Sequence, residues 1–191
     1  LGQVLADQPS KNKIAVIFAS GEIVSGIKNR DSIGAQSFIN DLDEILEDDE
    51  VKAIVVRINS PGGDALASDE IWRKIMKTDQ TMPVIASMGD IAASGGYYMA
   101  AGARHITAEA STLTGSIGVF GLMFETKKFF NQKLGVTFDQ VNTHPYADLG
   151  NPNRPMNEKE RAFIQTSVER VYQRFIEVFK ESRKNLEPID A

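Results

Sequence analysis

The stretch AIVVRINSPGG, residues 53–63, decides the fold. Its apolar half is typical of a strand buried on both faces, and the strand ends at the Pro-Gly-Gly break. Similar short apolar runs occupy residues 14–18 and 84–88, and residues 38–46 and 65–77 between them have helical spacing. This alternation predicts an α/β domain of buried strands alternating with helices. In such domains ligands bind at the carboxyl ends of the strands.

The remaining elements extend this pattern to the end of the chain. Ser32 is a candidate N-cap for the first helix, and residues 105–108 and 136–141 are candidate short strands. Asn157 and Glu160 stand three residues apart before an apolar periodicity, which predicts a capping box at the start of the last helix.

Composition excludes several classes of protein. The chain has 191 residues, a net charge of -5, two histidines and no cysteine. An acidic chain argues against nucleic-acid binding, and the lack of cysteine excludes disulfides, thiolate zinc sites and a cysteine nucleophile. No stretch approaches the roughly 20 apolar residues that span a bilayer, so we expect the fragment to be soluble. We expect no cofactor and no metal.

Both ends of the chain look cut from a longer protein, since it starts without Met on a polar lead. We therefore expect a linker from a missing upstream segment over residues 1–12, one domain over 13–183 and a truncated tail over 184–191.

Two glycine-rich breaks follow predicted strands. Gly62 and Gly63 could let the backbone approach a ligand, or they could simply form a tight turn. Ser94 lies among small residues where a strand meets a helix, so it is a candidate nucleophile or an ordinary N-cap. If Ser94 is the nucleophile, the N–H of Gly95 is placed to stabilise an oxyanion.

A serine nucleophile requires a general base, and none is evident. His105 and His144 have the character of structural residues. Lys127 and Lys128, flanked by phenylalanines, are the least exposed lysines by pattern, although solvated lysines remain the simpler interpretation.

Three motifs in order and at matching spacing resemble the signal peptide peptidase A (protease IV) family over about residues 13–183. They are residues 57–63 (RINSPGG), 92–98 (AASGGYY) and 113–119 (LTGSIGV). The resemblance implies a ClpP/crotonase-like fold and a serine protease with a Ser–Lys dyad.

Carried over to this chain, the resemblance makes Ser94 the nucleophile. It makes the backbone N–H groups of Gly62, Gly63 and Gly95 the oxyanion hole. Ser116 matches a hydroxyl that orients the catalytic lysine in the family.

The lysine itself departs from the family pattern. In short members it precedes a Pro-x-Arg-x-Met segment, here residues 152–156, and its position is occupied by Ala147. Either this chain is the serine-bearing half of a tandem protein whose amino-terminal half supplies the lysine, or the lysine was replaced in a short member. We favour the tandem interpretation, in which the isolated chain is inactive or nearly so.

The resemblance also implies peptide substrates left from cleaved signal peptides. It implies a homo-oligomer attached to the bacterial cell membrane, with the catalytic domain on the extracytoplasmic, periplasmic side. Residues 97–99 could line a substrate pocket or form core, and Phe175 and Phe179 could contribute to assembly. The alternatives are a catalytically inactive protease-fold scaffold or peptide-binding module, and a crotonase-type acyl-CoA enzyme.

Overall fold

A computed structural model of the chain describes residues 11–183. These residues form two compact units, one of residues 11–117 with 175–183 and the other of residues 118–174. The predicted tail and all but the last two residues of the predicted linker lie outside the described residues. The proposed single domain over 13–183 stays a prediction.

The first unit is built on parallel strands. In chain order they are β1 (Lys13–Ser20), β2 (Glu22–Val24), β3 (Ser32–Gly34), β4 (Val51–Ser60), β5 (Val84–Ala93), β6 (His105–Thr107) and β7 (Leu113–Gly115). The main sheet has the order β1-β4-β5-β6, β7 pairs with the carboxyl end of β5, and β2 and β3 form a separate parallel pair.

Helices follow the strands, which confirms the predicted α/β class. They are α1 (Ala35–Leu46), α2 (Ala65–Asp79), α3 (Gly95–Ala100), α4 (Lys127–Phe129), which continues as a π-helical turn (Phe130–Leu134), and α5 (Glu158–Ser182). The predicted capping box opens α5. Glu160 N–H donates to Asn157 Oδ1 at 2.9 Å, and Asn157 N–H donates to Glu160 Oε2 at 2.8 Å.

The core lies on one face of the main sheet. On β1, Ile17 and Ala19 are buried, whereas Ile14 and Phe18 are 67% and 73% exposed. The prediction that this strand is buried on both faces is therefore wrong for β1. Within the described residues the helical layer covers only the face of Ile17, so the strand alternates between core and surface.

Two predictions of local structure are wrong: the N-cap at Ser32 and the strand at residues 136–141. Ser32 does not cap α1. It lies buried in β3, its hydroxyl accepts the Asn29 N–H at 3.0 Å, and Gly34 precedes the helix instead. Residues 136–141 form no strand, because their apolar alternation finds no neighbouring strand to pair with.

An ion-pair network anchors the loop before α5 in the second unit. The Arg154 guanidinium binds Asp148 and donates to Glu160 at 2.8 and 2.5 Å. These hydrogen bonds lower the pKa of Asp148 to about 2 and also lower the pKa of the Glu160 carboxyl, which accepts the Asn157 N–H as well. Both carboxylates are thereby kept charged at neutral pH.

Candidate active site

Ser94 occupies the single residue between β5 and α3 and has a strained backbone. Its φ of 50° and ψ of -119° are costly for a non-glycine residue, on the order of 1–3 kcal/mol. Two backbone hydrogen bonds hold it there: its N–H donates to Gly115 O, and its C=O accepts from Tyr98 N–H, both at 2.8 Å. Its side chain makes no capping hydrogen bond to α3. Ser94 therefore stands at the N-cap position of α3, as considered from sequence, but its hydroxyl does not act as the cap.

The Pro-Gly-Gly break lies directly against this turn. Gly62 has a φ of +103°, and a Cβ on it would lie 2.6 Å from Gly95 N and 2.8 Å from Ser94 Cβ. A side chain at this position would displace the serine. The glycine is required both by its backbone conformation and by the close approach of the two turns.

The N–H groups of the three candidate donors differ in their partners. Gly62 N–H donates to the buried Ser60 Oγ at 3.2 Å. No residue within 11–183 accepts from Gly63 N–H or Gly95 N–H, and the latter starts α3, where first-turn N–H groups have no acceptor inside the helix. Gly63 and Gly95 therefore offer the N–H groups that a ligand at Ser94 could use.

Helix α2 packs against the start of α3 through Ser68, which the sequence did not single out. A Cβ on Gly95 would lie 2.4 Å from Ser68 Oγ. The buried Ser68 hydroxyl in turn donates to Asp64 O at 2.8 Å, and the Asp64 carboxylate caps α2 by accepting the Ala67 N–H at 2.7 Å. The Pro-Gly-Gly turn, α2 and α3 thus meet around the glycine that follows Ser94.

Ser116 is brought beside Ser94 by the sheet. β7 pairs with β5 in the register Ala93 with Gly115, so Ser94 and Ser116 are the next residues on the two strands. Ser116 is exposed and also has a positive φ of 54°. The two serines that the resemblance assigned to the site therefore lie at neighbouring positions of one sheet edge.

His105 does not lie beside Ser94, and His144 belongs to the other unit. His105 pairs with Ile85 near the start of β5, nine residues before Ser94, so it lies at the opposite end of this strand from Ser94. His144 belongs to the second unit, is exposed, and accepts the Ala147 N–H through its backbone oxygen at 3.2 Å.

No lysine within residues 11–183 is buried. Lys127 and Lys128 are exposed, so the expectation that they are the least exposed lysines is wrong; their phenylalanine neighbours pack on one another instead, with Phe129 and Phe130 ring centres 5.5 Å apart. The least exposed is Lys74, which forms an ion pair with Asp43. None of these amines has the desolvated setting that keeps a lysine neutral.

The aromatic residues after Ser94 form core rather than a pocket. Tyr97 stacks on Phe179 with ring centres 4.8 Å apart, and Tyr98 packs on Phe175 at 4.7 Å. Phe175 and Phe179 are buried within this chain, and their expected role in assembly stays a prediction. These contacts fix α3, and with it Ser94, against the end of α5.

Two further features of the described residues bear on function. No helix in this part of the chain has the length and apolarity to cross a bilayer. The same residues contain no group of three or more His, Asp or Glu side chains arranged to hold a metal ion.

Comparison with known proteins agrees with this geometry. The sequence pattern of peptidase family S49 matches residues 76–190, and that of Clp protease matches residues 7–114. The chain is 43% identical over 171 residues to the chloroplastic serine protease SPPA of Arabidopsis thaliana. It is 38% identical over 172 residues to Protease 4 of Salmonella typhi and 39% identical over 177 residues to Protease 4 of Haemophilus influenzae.

These alignments cover 86%, 90% and 91% of the chain but only 25%, 28% and 28% of the three relatives, so the chain spans about a quarter of their length. The match to S49 begins in α2 and includes the Ser94 turn and all of α5, whereas the Clp match covers the main sheet. The resemblance drawn from the three motifs is confirmed: the chain belongs to peptidase family S49 and has a Clp protease-like α/β fold.

Proposed function

We propose that the chain is the serine-bearing part of a serine endopeptidase of the signal peptide peptidase type, with Ser94 as nucleophile. The observation that carries this proposal is the strained Ser94 turn, whose hydroxyl does not cap α3 and whose neighbours supply two unused N–H groups. A strained strand-to-helix serine with adjacent backbone donors is the arrangement that exposes a nucleophile in hydrolases.

The reaction proceeds by acyl transfer. The Ser94 oxygen attacks the peptide carbonyl carbon while its proton passes to a neutral lysine amine. The N–H groups of Gly63 and Gly95 stabilise the oxyanion, with Gly62 holding the turn against Ser94. The proton then passes to the leaving amine as the peptide bond breaks, and water hydrolyses the ester on Ser94. Ser116 holds the lysine amine in place.

The general base comes from outside this chain. Each lysine within 11–183 is solvated or ion-paired, as Lys74 is with Asp43, and the position that carries the lysine in short members is occupied by the exposed Ala147. The longer relatives have room for a second domain that supplies the amine. The isolated chain is then inactive or nearly so, and its partners are the upstream half of the same protein and further copies.

The substrates are peptides, with cleaved signal peptides as the preferred class. Such substrates place the assembled protein at a membrane, attached through a segment other than residues 11–183, with this domain on the extracytoplasmic side. A scaffold or an acyl-CoA enzyme has less support, because the relatives that match are named as proteases.

Cleavage of an internally quenched apolar peptide by the natural full-length protein tests the proposal. Ser94→Ala abolishes cleavage, whereas Ser111→Ala, at an exposed serine of the loop between β6 and β7, leaves it unchanged. Undiminished cleavage by Ser94→Ala would refute the assignment. If the wild-type protein cleaved no peptide but bound it, the scaffold alternative would replace the protease.

A further inference from the structure

Ile23 connects the two segments that carry the unused N–H groups. It lies in the three-residue strand β2 and is fully buried. Its backbone bonds to the Pro-Gly-Gly turn on one side, and its side chain reaches the start of α3 on the other.

The backbone contact sets the direction of Gly63. Ile23 N–H donates to Gly62 O and Ile23 O accepts from Asp64 N–H, both at 2.9 Å, which forms a parallel bridge opposite Gly63. In such a bridge the residue between the two bonded neighbours directs its own N–H away from the partner strand. Gly63 N–H is therefore left for a ligand because its neighbours, and not Gly63 itself, bond to β2.

The side-chain contact sets the position of Gly95. The Cδ1 methyl of Ile23 would lie 3.1 Å from a Cβ on Gly95, so it packs against the glycine whose N–H starts α3. A single residue thus touches both segments, one through its backbone and one through its terminal methyl group.

We infer that Ile23 is a positioning residue that fixes the separation of the Gly63 and Gly95 N–H groups, and so the fit of the oxyanion between them. This inference rests on the proposed function, since it concerns the same site. Removal of the Cδ1 methyl leaves both backbone bonds intact but lets α3 shift toward β2. Because oxyanion stabilisation depends on placement within about 1 Å, the loss falls on the reacting state and not on substrate binding.

The variant that isolates this effect is Ile23→Val in the full-length protein, since valine lacks only the Cδ1 methyl. Its matched control is Ile54→Val, the same deletion at a fully buried residue of β4 that pairs with Val84 at the far end of the sheet from Ser94. Ile23→Leu, which keeps the volume but moves the methyl group, is a second test variant if the valine variant folds poorly.

The readout is inhibition by a peptide aldehyde and by the corresponding peptide alcohol, acetyl-leucyl-leucinal and acetyl-leucyl-leucinol. The Ser94 oxygen bonds to the aldehyde carbon as the C=O double bond opens and the serine proton passes to the lysine amine, which leaves an oxyanion between the two N–H groups. The alcohol has no carbonyl group and only binds. We expect Ile23→Val to weaken aldehyde inhibition and kcat by on the order of tenfold, with alcohol inhibition and KM unchanged. Ile54→Val should lower the melting temperature by about as much as Ile23→Val does. It should leave the ratio of the aldehyde and alcohol inhibition constants unchanged from the wild-type value.

Equal ratios for Ile23→Val and Ile54→Val would overturn the positioning role and leave the protease intact. Failure of the proposed function has a different signature, because aldehyde affinity would then be the same in Ser94→Ala as in the wild-type protein.

Discussion

Replacing Gly95 by alanine puts a methyl group into a close contact between α2 and α3. The added Cβ would lie 2.4 Å from Ser68 Oγ, 3.1 Å from Ile23 Cδ1 and 3.2 Å from Gly62 Cα. Ordinary contact starts near 3.4 Å, so Ser68 or the start of α3 must move by about 1 Å. Overpacking of this kind costs about 1–3 kcal/mol of stability. A displacement of that size at the Gly95 N–H lowers turnover by about 10²-fold.

The clash is relieved by a second substitution, which makes the reasoning testable in a double-mutant cycle. Ser68→Ala alone loses the hydrogen bond to Asp64 O and costs about 1 kcal/mol. In Gly95→Ala/Ser68→Ala the shortest remaining contacts are 3.1 and 3.2 Å, which need a shift of only a few tenths of an ångström. We therefore expect the loss of unfolding free energy in the double variant to be smaller than the sum of the losses in the two single variants, by about 1 kcal/mol or more.

Gly96→Ala is the matched control. Its Cβ would meet the backbone oxygen of Ser60 at 2.6 Å, which the Ser68→Ala substitution cannot relieve, so this pair should be additive. Urea unfolding measures stability, and peptide cleavage by the full-length protein measures turnover. A loss in Gly95→Ala/Ser68→Ala equal to or greater than the sum of the single losses would refute the packing that places Gly95.

Three further predictions concern other parts of the chain. Gly63→Ala should abolish folding or activity, because its Cβ would lie 2.1 Å from the backbone oxygen of Ile23; a normal melting curve with full activity would contradict this. The lowered pKa of Asp148, about 2 against 3.8 when unpaired, stabilises the folded state above pH 4, and this stabilisation is lost as the pH falls toward 2. In the wild-type protein, amide hydrogen exchange in the loop before α5 should therefore speed up as the pH falls from 4 toward 2, relative to the intrinsic exchange rate. In Arg154→Ala this pH-dependent increase should be absent. Asn157→Ala should cost about 1 kcal/mol of stability by removing the cap of α5, and Asn157→Ser should restore most of it; equal losses in urea unfolding would exclude a capping role.

Local signals in the sequence were sufficient for much of the fold. The capping box of Asn157 and Glu160 involves residues three apart, and the break at Gly62 follows closely on the apolar run at residues 53–58. Each of these features depends on neighbours in the chain, so the pattern alone predicts it. The N-cap predicted at Ser32 is wrong for the opposite reason, because Ser32 pairs with Glu22 of β2, ten residues earlier, and Gly34 precedes α1 instead.

The features that position the site depend on contacts between distant residues. Ile23 lies in a strand of three residues, too short for any periodicity, and acquires its role only by pairing opposite Gly63. Ser68 reads as an ordinary helix residue, because its importance lies in the approach of Gly95. The strand predicted at residues 136–141 failed for the same reason, since a strand exists only where a partner is available to pair with it.

Labelling of Ser94 by a fluorophosphonate probe tests the central claim most directly. Intact-mass analysis of the isolated chain and of the natural full-length protein, each with its Ser94→Ala variant, measures the adduct. A nucleophile whose base lies outside this chain predicts rapid labelling of the full-length protein, at most trace labelling of the isolated chain, and none in either Ser94→Ala variant. Equally rapid labelling of the isolated chain, lost in Ser94→Ala, would contradict the external base, and labelling that persists in Ser94→Ala would contradict the nucleophile.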